Sequence, residues 1–227
     1  MAKLKIGVLG GIGPQATGLF YLKLIDKLQK EGLISCNEDF PQLLINSIPA
    51  QELIFEKIRE DDLKEYIQGL EELDSLQPDF IMMVCNTIHL FHTTLQKRIP
   101  TPLLNLKEEV HKELQRRAVK KITILATPST INLKLYEFDE FLYLNPNREE
   151  LEMLTQSIFL FNKGINKEQQ KRKMRRIAQK YLKLGSELIL LGCTEFAVML
   201  EGATFPTLNT LDILVNVVVE KCRSNKT

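Results

Sequence analysis

Two cysteines occupy matching positions in the two halves of this chain. Cys85 closes the apolar run Phe80-Ile81-Met82-Met83-Val84 and is followed by Asn86 and Thr87. Cys193 closes Leu188-Ile189-Leu190-Leu191-Gly192 and is followed by Thr194 and Glu195. Apolar runs of this length, bounded by polar residues or glycine, suit strands buried on both faces of a parallel sheet. A side chain at the carboxyl end of such a strand faces the crevice where open α/β sheets hold ligands. Two sulfurs placed this way predict a pair of thiols facing each other across one substrate. One would remove a proton and the other return it to the opposite face.

Thiols suit that work. A free thiol has a pKa of about 8.5, which helix starts and neighbouring donors lower. Both cysteines precede an expected helix start, so a lowered pKa is expected at each. Abstracting the α-proton of an amino acid without a pyridoxal cofactor needs a base, an acid and donors for the charge developing on the carboxylate. Asn86, Thr87 and Thr194, with the adjacent backbone N–H groups, form such a donor set. No cofactor is expected. The cysteines at 36, 85, 193 and 222 contain no C-x-x-C pair, so no metal site is expected either. Cys36 and Cys222 read as incidental thiols.

The elements that must position these groups alternate. Strands are expected at Leu4–Gly10, Leu43–Ile48, Phe80–Cys85, Ile122–Ala126, Phe141–Leu144 and Glu187–Gly192. Helices are expected at Gln15–Lys30, Asp61–Leu76, from Cys85 through Lys97, and at Thr130–Tyr136, Glu149–Phe161, Lys167–Leu184 and Leu211–Lys221. Pro14 fits a first helical turn, where its missing N–H is harmless. Strand–helix alternation argues for parallel sheets covered by helices. The matched cysteine strands point to two similar lobes with a cleft between them. Residues 1–100 with 210–227 form one expected lobe and 101–209 the other, divided at the crossover Ile99-Pro100-Thr101-Pro102.

The 227 residues carry a formal net charge of +1, which gives no reason to expect a nucleic-acid or membrane surface. The basic run Lys167–Lys183 is read as a solvated helix face opposite the stripe Met174, Ile177, Tyr181 and Leu184. No apolar stretch approaches the ~20 residues that span a bilayer, and no signal peptide is visible. A cytoplasmic protein is expected.

Four blocks taken together resemble the aspartate/glutamate racemase family, amino-acid racemases that work without pyridoxal phosphate. They are Gly10-Gly11-Ile12-Gly13-Pro14, Cys85-Asn86-Thr87-Ile88-His89, Leu125-Ala126-Thr127-Pro128-Ser129-Thr130 and Leu191-Gly192-Cys193-Thr194-Glu195. The resemblance implies two Rossmann-like lobes related by a pseudo-twofold, the site between them, and a homodimer. It implies Cys85 and Cys193 as the proton carriers of an amino-acid substrate. Asn86, Thr87, Thr130 and Thr194 would hold the α-carboxylate, with Thr127 nearby. Glu195 would bind or orient the α-amino group or a catalytic thiol. The turn Gly11-Ile12-Gly13 would close one wall. His89 is either a support behind the site or a plain helix-start residue.

Departures from the family pattern fall where an acidic side chain is read. The family's Ile-Pro-Asp-Arg becomes Ile48-Pro49-Ala50-Gln51, replacing a bidentate cation by an amide. A family lysine falls at Asn162 or at Lys163, and both Gln51 and Lys163 are expected to face the substrate side chain. The C-terminal histidine is absent from Asn209-Thr210-Leu211-Asp212-Ile213-Leu214, and Ser129 replaces a usual glycine. A racemase with a neutral or wider substrate range is therefore expected. Hydantoin racemases, arylmalonate decarboxylases and maleate isomerases resemble the same scaffold. The decarboxylases rely on one cysteine, whereas two are retained here. A non-catalytic carboxylate-binding protein is the alternative of a different class.

Overall fold

The computed structural model describes residues 3–55 and 57–225. The chain begins with β1 (Lys5–Gly10), α1 (Pro14–Lys30), β2 (Gln42–Ser47), α2 (Lys64–Ser75), β3 (Phe80–Met83) and α3 (His92–Gln96). It continues through α4 (Leu106–Arg117), β4 (Lys121–Ala126), α5 (Pro128–Asn132), β5 (Leu142–Tyr143) and α6 (Arg148–Asn162). It ends with α7 (Lys167–Lys183), β6 (Leu188–Gly192), α8 (Thr194–Met199), β7 (Thr207–Asn209) and α9 (Thr210–Ser224).

The strands form two parallel sheets, in the orders β2-β1-β3 and β5-β4-β6-β7. This is the expected α/β architecture. The central strands read as unbroken apolar runs because both faces are covered, and all of β3 and β6 is buried. In each sheet the strand order reverses once. The chain leaves β1 for β2 on one side and returns to β3 on the other; β4, β5 and β6 repeat the move. Each reversal opens a crevice beyond the carboxyl ends of two adjacent strands, where ligands bind in open α/β sheets. The two crevices lie beyond β1/β3 and beyond β4/β6.

One apolar core runs through both sheets. It includes Ile6, Val8 and Met82 from the first and Ile122, Ile124 and Leu190 from the second. Helix α9 returns, as expected, to pack along α1 and α4, contributing Leu211, Leu214 and Val218 to that core. Just past the crossover, Leu103 makes an isolated parallel bridge to Ile81. Among the described residues no helix is long and apolar enough to cross a membrane.

Several elements depart from expectation. Helix α4 was not expected, although Leu106, Val110 and Leu114 bury one face and the Asn105 side chain caps it by accepting from the Lys107 N–H. The helix placed at Thr130–Tyr136 lies earlier, at Pro128–Asn132, because Thr127 caps it and Pro128 suits its first turn. The segment after Cys85 opens as a 3₁₀ helix over Thr87–Phe91 before α3. On α7, Met174, Ile177 and Tyr181 are buried, but Leu184 lies past the last turn and is exposed.

Candidate active site

Both crevices open into one narrow cleft with about 40 Å³ of free volume. Cys85, just beyond β3, and Cys193, just beyond β6, both line it and both are buried. Ile12 and Gly13 reach it from the end of β1, and Thr127 from the end of β4. Each lobe thus contributes one sulfur from the equivalent strand end. The remaining lining comes from Asn86, Thr87, Thr194, Glu195, Ile158 and the segment Glu52-Leu53-Ile54.

The sulfurs sit in unlike surroundings. The Cys193 thiol donates to Glu195 Oε2 at 2.9 Å, and the Thr194 hydroxyl donates to the same oxygen at 3.1 Å. The Cys85 sulfur faces the backbone N–H groups of Ile88 and Thr87, which favour its thiolate. The expectation of lowered thiol pKa values is corrected here. Burial pushes the Cys85 thiol from 9.0 up to about 12, outweighing those two N–H donors. Burial, then the Glu195 charge and hydrogen bond, push Cys193 well above its ordinary value. Burial thus favours the neutral thiol at both positions. An α-ammonium entering the cleft brings a positive charge beside them and favours a thiolate.

A stability signature follows from these shifts. Below about pH 9 the folded and unfolded chains both hold the thiol protons, so nothing is lost. Between about pH 9 and the Cys85 value of about 12, the unfolded chain releases the proton and the folded chain keeps it. Stability then falls as pH rises, by about 1.4 kcal/mol per unit for one such thiol. The buried hydroxyls of Tyr66 and Tyr136, also raised by burial, add the same trend only above about pH 10. Urea midpoints between about pH 9 and 10 are expected to fall, and Cys85→Ala to reduce that slope, with Cys193 keeping the remainder. An identical slope in the variant would contradict the assignment.

Hydroxyl groups form the floor between the lobes. Thr87 Oγ1 shares hydrogen bonds with Thr127 Oγ1 at 3.1 Å and with Thr130 Oγ1 at 3.0 Å, and the last two share another at 3.0 Å. Thr87 and Thr127 line the cleft, whereas Thr130 supports them from behind and is not part of the lining. Asn86 is held from two directions. Its Oδ1 accepts from the Tyr136 hydroxyl at 2.6 Å, and its Nδ2 donates to Thr210 Oγ1 at 3.1 Å. Only one amide hydrogen of Asn86 is left for a ligand.

The glycine turn works by close approach. Gly11 lies against the backbone of Ile48 rather than in the lining, and has φ +87°. Gly13, at φ +83°, brings its Cα so near the other lobe that an added Cβ would sit 2.8 Å from Glu195 Oε1.

Gln51 and Lys163 are corrections. Both side chains are exposed and neither lines the cleft. Gln51 is anchored by its main-chain carbonyl, which accepts from the Tyr66 hydroxyl at 2.6 Å, and Glu52, itself exposed, is the residue of this pair that lines the cleft. Lys163 follows the last residue of α6 and points away, leaving Asn162 as the member of that pair near the site. Asn162 Nδ2 donates to Glu52 Oε1 at 3.0 Å and to Glu195 Oε1 at 3.3 Å. Glu52 and Ser129 were not foreseen as site residues. The buried Ser129 hydroxyl meets the carbonyl oxygens of Leu53 at 2.6 Å and Ile54 at 3.0 Å, fixing that segment across the cleft. His89 lies behind the site in the 3₁₀ turn. Its Nδ1 accepts from the Leu106 N–H at 3.4 Å, and burial lowers its pKa to about 3.

Two parallel-sheet lobes, each presenting a cysteine at its strand-order reversal, define a two-lobed α/β protein with paired thiols in one cleft. The chain belongs to the Asp/Glu/Hydantoin racemase family, whose model matches residues 9–218. It is 35% identical over 133 residues to the broad specificity amino-acid racemase RacX of Bacillus subtilis (strain 168). That match spans 58% of this chain and 58% of RacX, less than two thirds of the relative's length. An aspartate racemase homologue from Pyrococcus horikoshii OT3 superposes with a TM-score of 0.74 at 25% identity, covering 96% of this chain and 99% of the other. The fold is also that of the Picrophilus torridus aspartate racemase, with TM-score 0.78, 21% identity and coverage of 97% and 94%.

Proposed function

We propose that this chain is an amino-acid racemase that interconverts L- and D-substrates by two-cysteine α-proton transfer without a cofactor. The observation that carries the reading is the pair of buried sulfurs, one from each lobe, lining a single small cleft. A substrate Cα between them meets a base on one face and an acid on the other. One sulfur, as thiolate, takes the α-proton, and the other, as thiol, delivers a proton to the opposite face. The protonation states are then exchanged, ready for the reverse direction.

Between those steps negative charge spreads onto the α-carboxylate. The hydroxyls of Thr87, Thr127 and Thr194 and the remaining Asn86 amide hydrogen are placed to receive it, and burial strengthens each such hydrogen bond. Glu195 pairs with the α-ammonium while holding the Cys193 thiol. Membership of the Asp/Glu/Hydantoin racemase family and likeness to RacX support the reading.

The test is α-proton exchange in heavy water, followed by NMR, with a panel of L-amino acids and the purified protein. Exchange accompanied by appearance of the D-enantiomer is expected for at least one of them. Tight binding of the panel with no exchange would replace the racemase by a carboxylate-binding protein. A mass-shifted adduct on Cys85 with a maleate-like substrate would instead point to isomerisation through a covalent step.

A further inference from the structure

The charge around the cleft has one sign. Glu52 stands at the rim and Glu195 on the wall, and among the described lining residues there is no lysine or arginine. Asn162 Nδ2 donates to both carboxylates and so holds them toward each other. Glu195 is already engaged by the thiol of Cys193 and the hydroxyl of Thr194. Glu52 therefore carries the carboxylate that the proton-transfer machinery leaves over. Between the sulfurs and this rim the walls are apolar, built from Ile12, Leu53, Ile54 and Ile158.

A substrate side chain ending in a carboxylate meets like charge here and no cation to pair with. An uncharged aliphatic chain is compatible with the walls but leaves Glu52 unused. A chain with an apolar stem and a cationic end satisfies both features, because such side chains bury their methylenes and keep the charge at the wet edge. We propose that Glu52 selects amino acids whose side chain is an aliphatic stem bearing an ammonium or guanidinium group. The claim rests on the racemase reading of the cleft and adds the substrate class to it. Glu52 acts on binding, away from Cα, so its effect falls on KM more than on kcat.

The test measures α-proton exchange for lysine, ornithine and arginine against norleucine, a neutral chain of similar length, and against aspartate and glutamate. Calorimetric binding of lysine, norleucine and glutamate is recorded in parallel. Wild-type kcat/KM is expected to favour lysine or its cationic relatives over norleucine by at least about tenfold, with the acidic pair slowest. Glu52→Gln is expected to lower the lysine-to-norleucine ratio by about tenfold or more, mainly through KM, and Glu52→Asp to keep part of it. Equal rates for lysine and norleucine, faster exchange of glutamate, or a ratio unmoved by Glu52→Gln would overturn the proposal. Glu52-dependent preference for lysine in binding, with no exchange of any amino acid, would retire the racemase reading while leaving the selection intact. Absence of both would retire both.

Discussion

Cys85→Ala and Cys193→Ala are each expected to stop racemisation, with turnover reduced by roughly 10²–10⁴-fold or more. The loss follows from geometry. In the proposed mechanism each sulfur serves its own face of Cα, and the titratable groups beside them among the described lining residues, Glu52 and Glu195, lie at the rim and on the Cys193 thiol. The singly substituted proteins are expected to differ in a diagnostic way. Each retains one base, so each is expected to wash the α-hydrogen out of one enantiomer only, and the enantiomer is opposite for the two variants. NMR of separate L- and D-substrates in heavy water reads this directly. Two variants that exchange the same enantiomer, or a variant that still racemises, would mean that the thiols do not flank Cα.

Gly13→Ala is expected to lower kcat/KM about 100-fold while the protein stays folded. Its φ of +83° strains any residue with a Cβ, at roughly 1–2 kcal/mol. The larger effect is steric. The new methyl would lie 2.8 Å from Glu195 Oε1 and 3.1 Å from Thr194 Oγ1, so the carboxylate whose other oxygen holds the Cys193 thiol must move. Displacements near 1 Å in a reacting arrangement are enough for losses of this size. Gly18→Ala is the control, since a Cβ there meets nothing within 4 Å. In α1 it is expected to leave activity unaltered and to raise stability by about 0.5–1 kcal/mol. Comparable activity in the two variants would show that the turn does not position Glu195.

What could be read from residues alone, and what could not, divides along physical lines. The two cysteine strands were legible because a buried parallel strand writes itself as a continuous apolar run, and its polar successor marks the carboxyl end. The same reading set Asn86, Thr87 and Thr194 beside the sulfurs, the family resemblance added Ile12, Thr127 and Glu195, and all six line the cleft. Helix α4 carried a signal that was passed over, namely Leu106, Val110 and Leu114 at intervals of four behind an asparagine cap. Glu52 carried none. It lies in an irregular segment with no period, held by the Tyr66 contact to the Gln51 carbonyl, a partner 15 positions away, and both Gln51 and Glu52 are exposed. Asn162 and Lys163 posed a one-residue ambiguity, and the last turn of α6 decides it. The thiol pKa values were misjudged because donors are visible in a motif, whereas the depth of burial that outweighs them is not.

The segment from Glu52 to Ile54 leaves the polypeptide before β3, yet Ser129, at the start of α5, grips its carbonyls and Ile54 packs among side chains of the second lobe. The roof of the chamber is thus hung from one half of the molecule and latched to the other. Any breathing that widens the gap between the halves must tug this latch, and Glu52 travels with it. If Glu52 selects the far end of a substrate as proposed, opening of the cleft and placement of that carboxylate are linked through the Ser129 contacts.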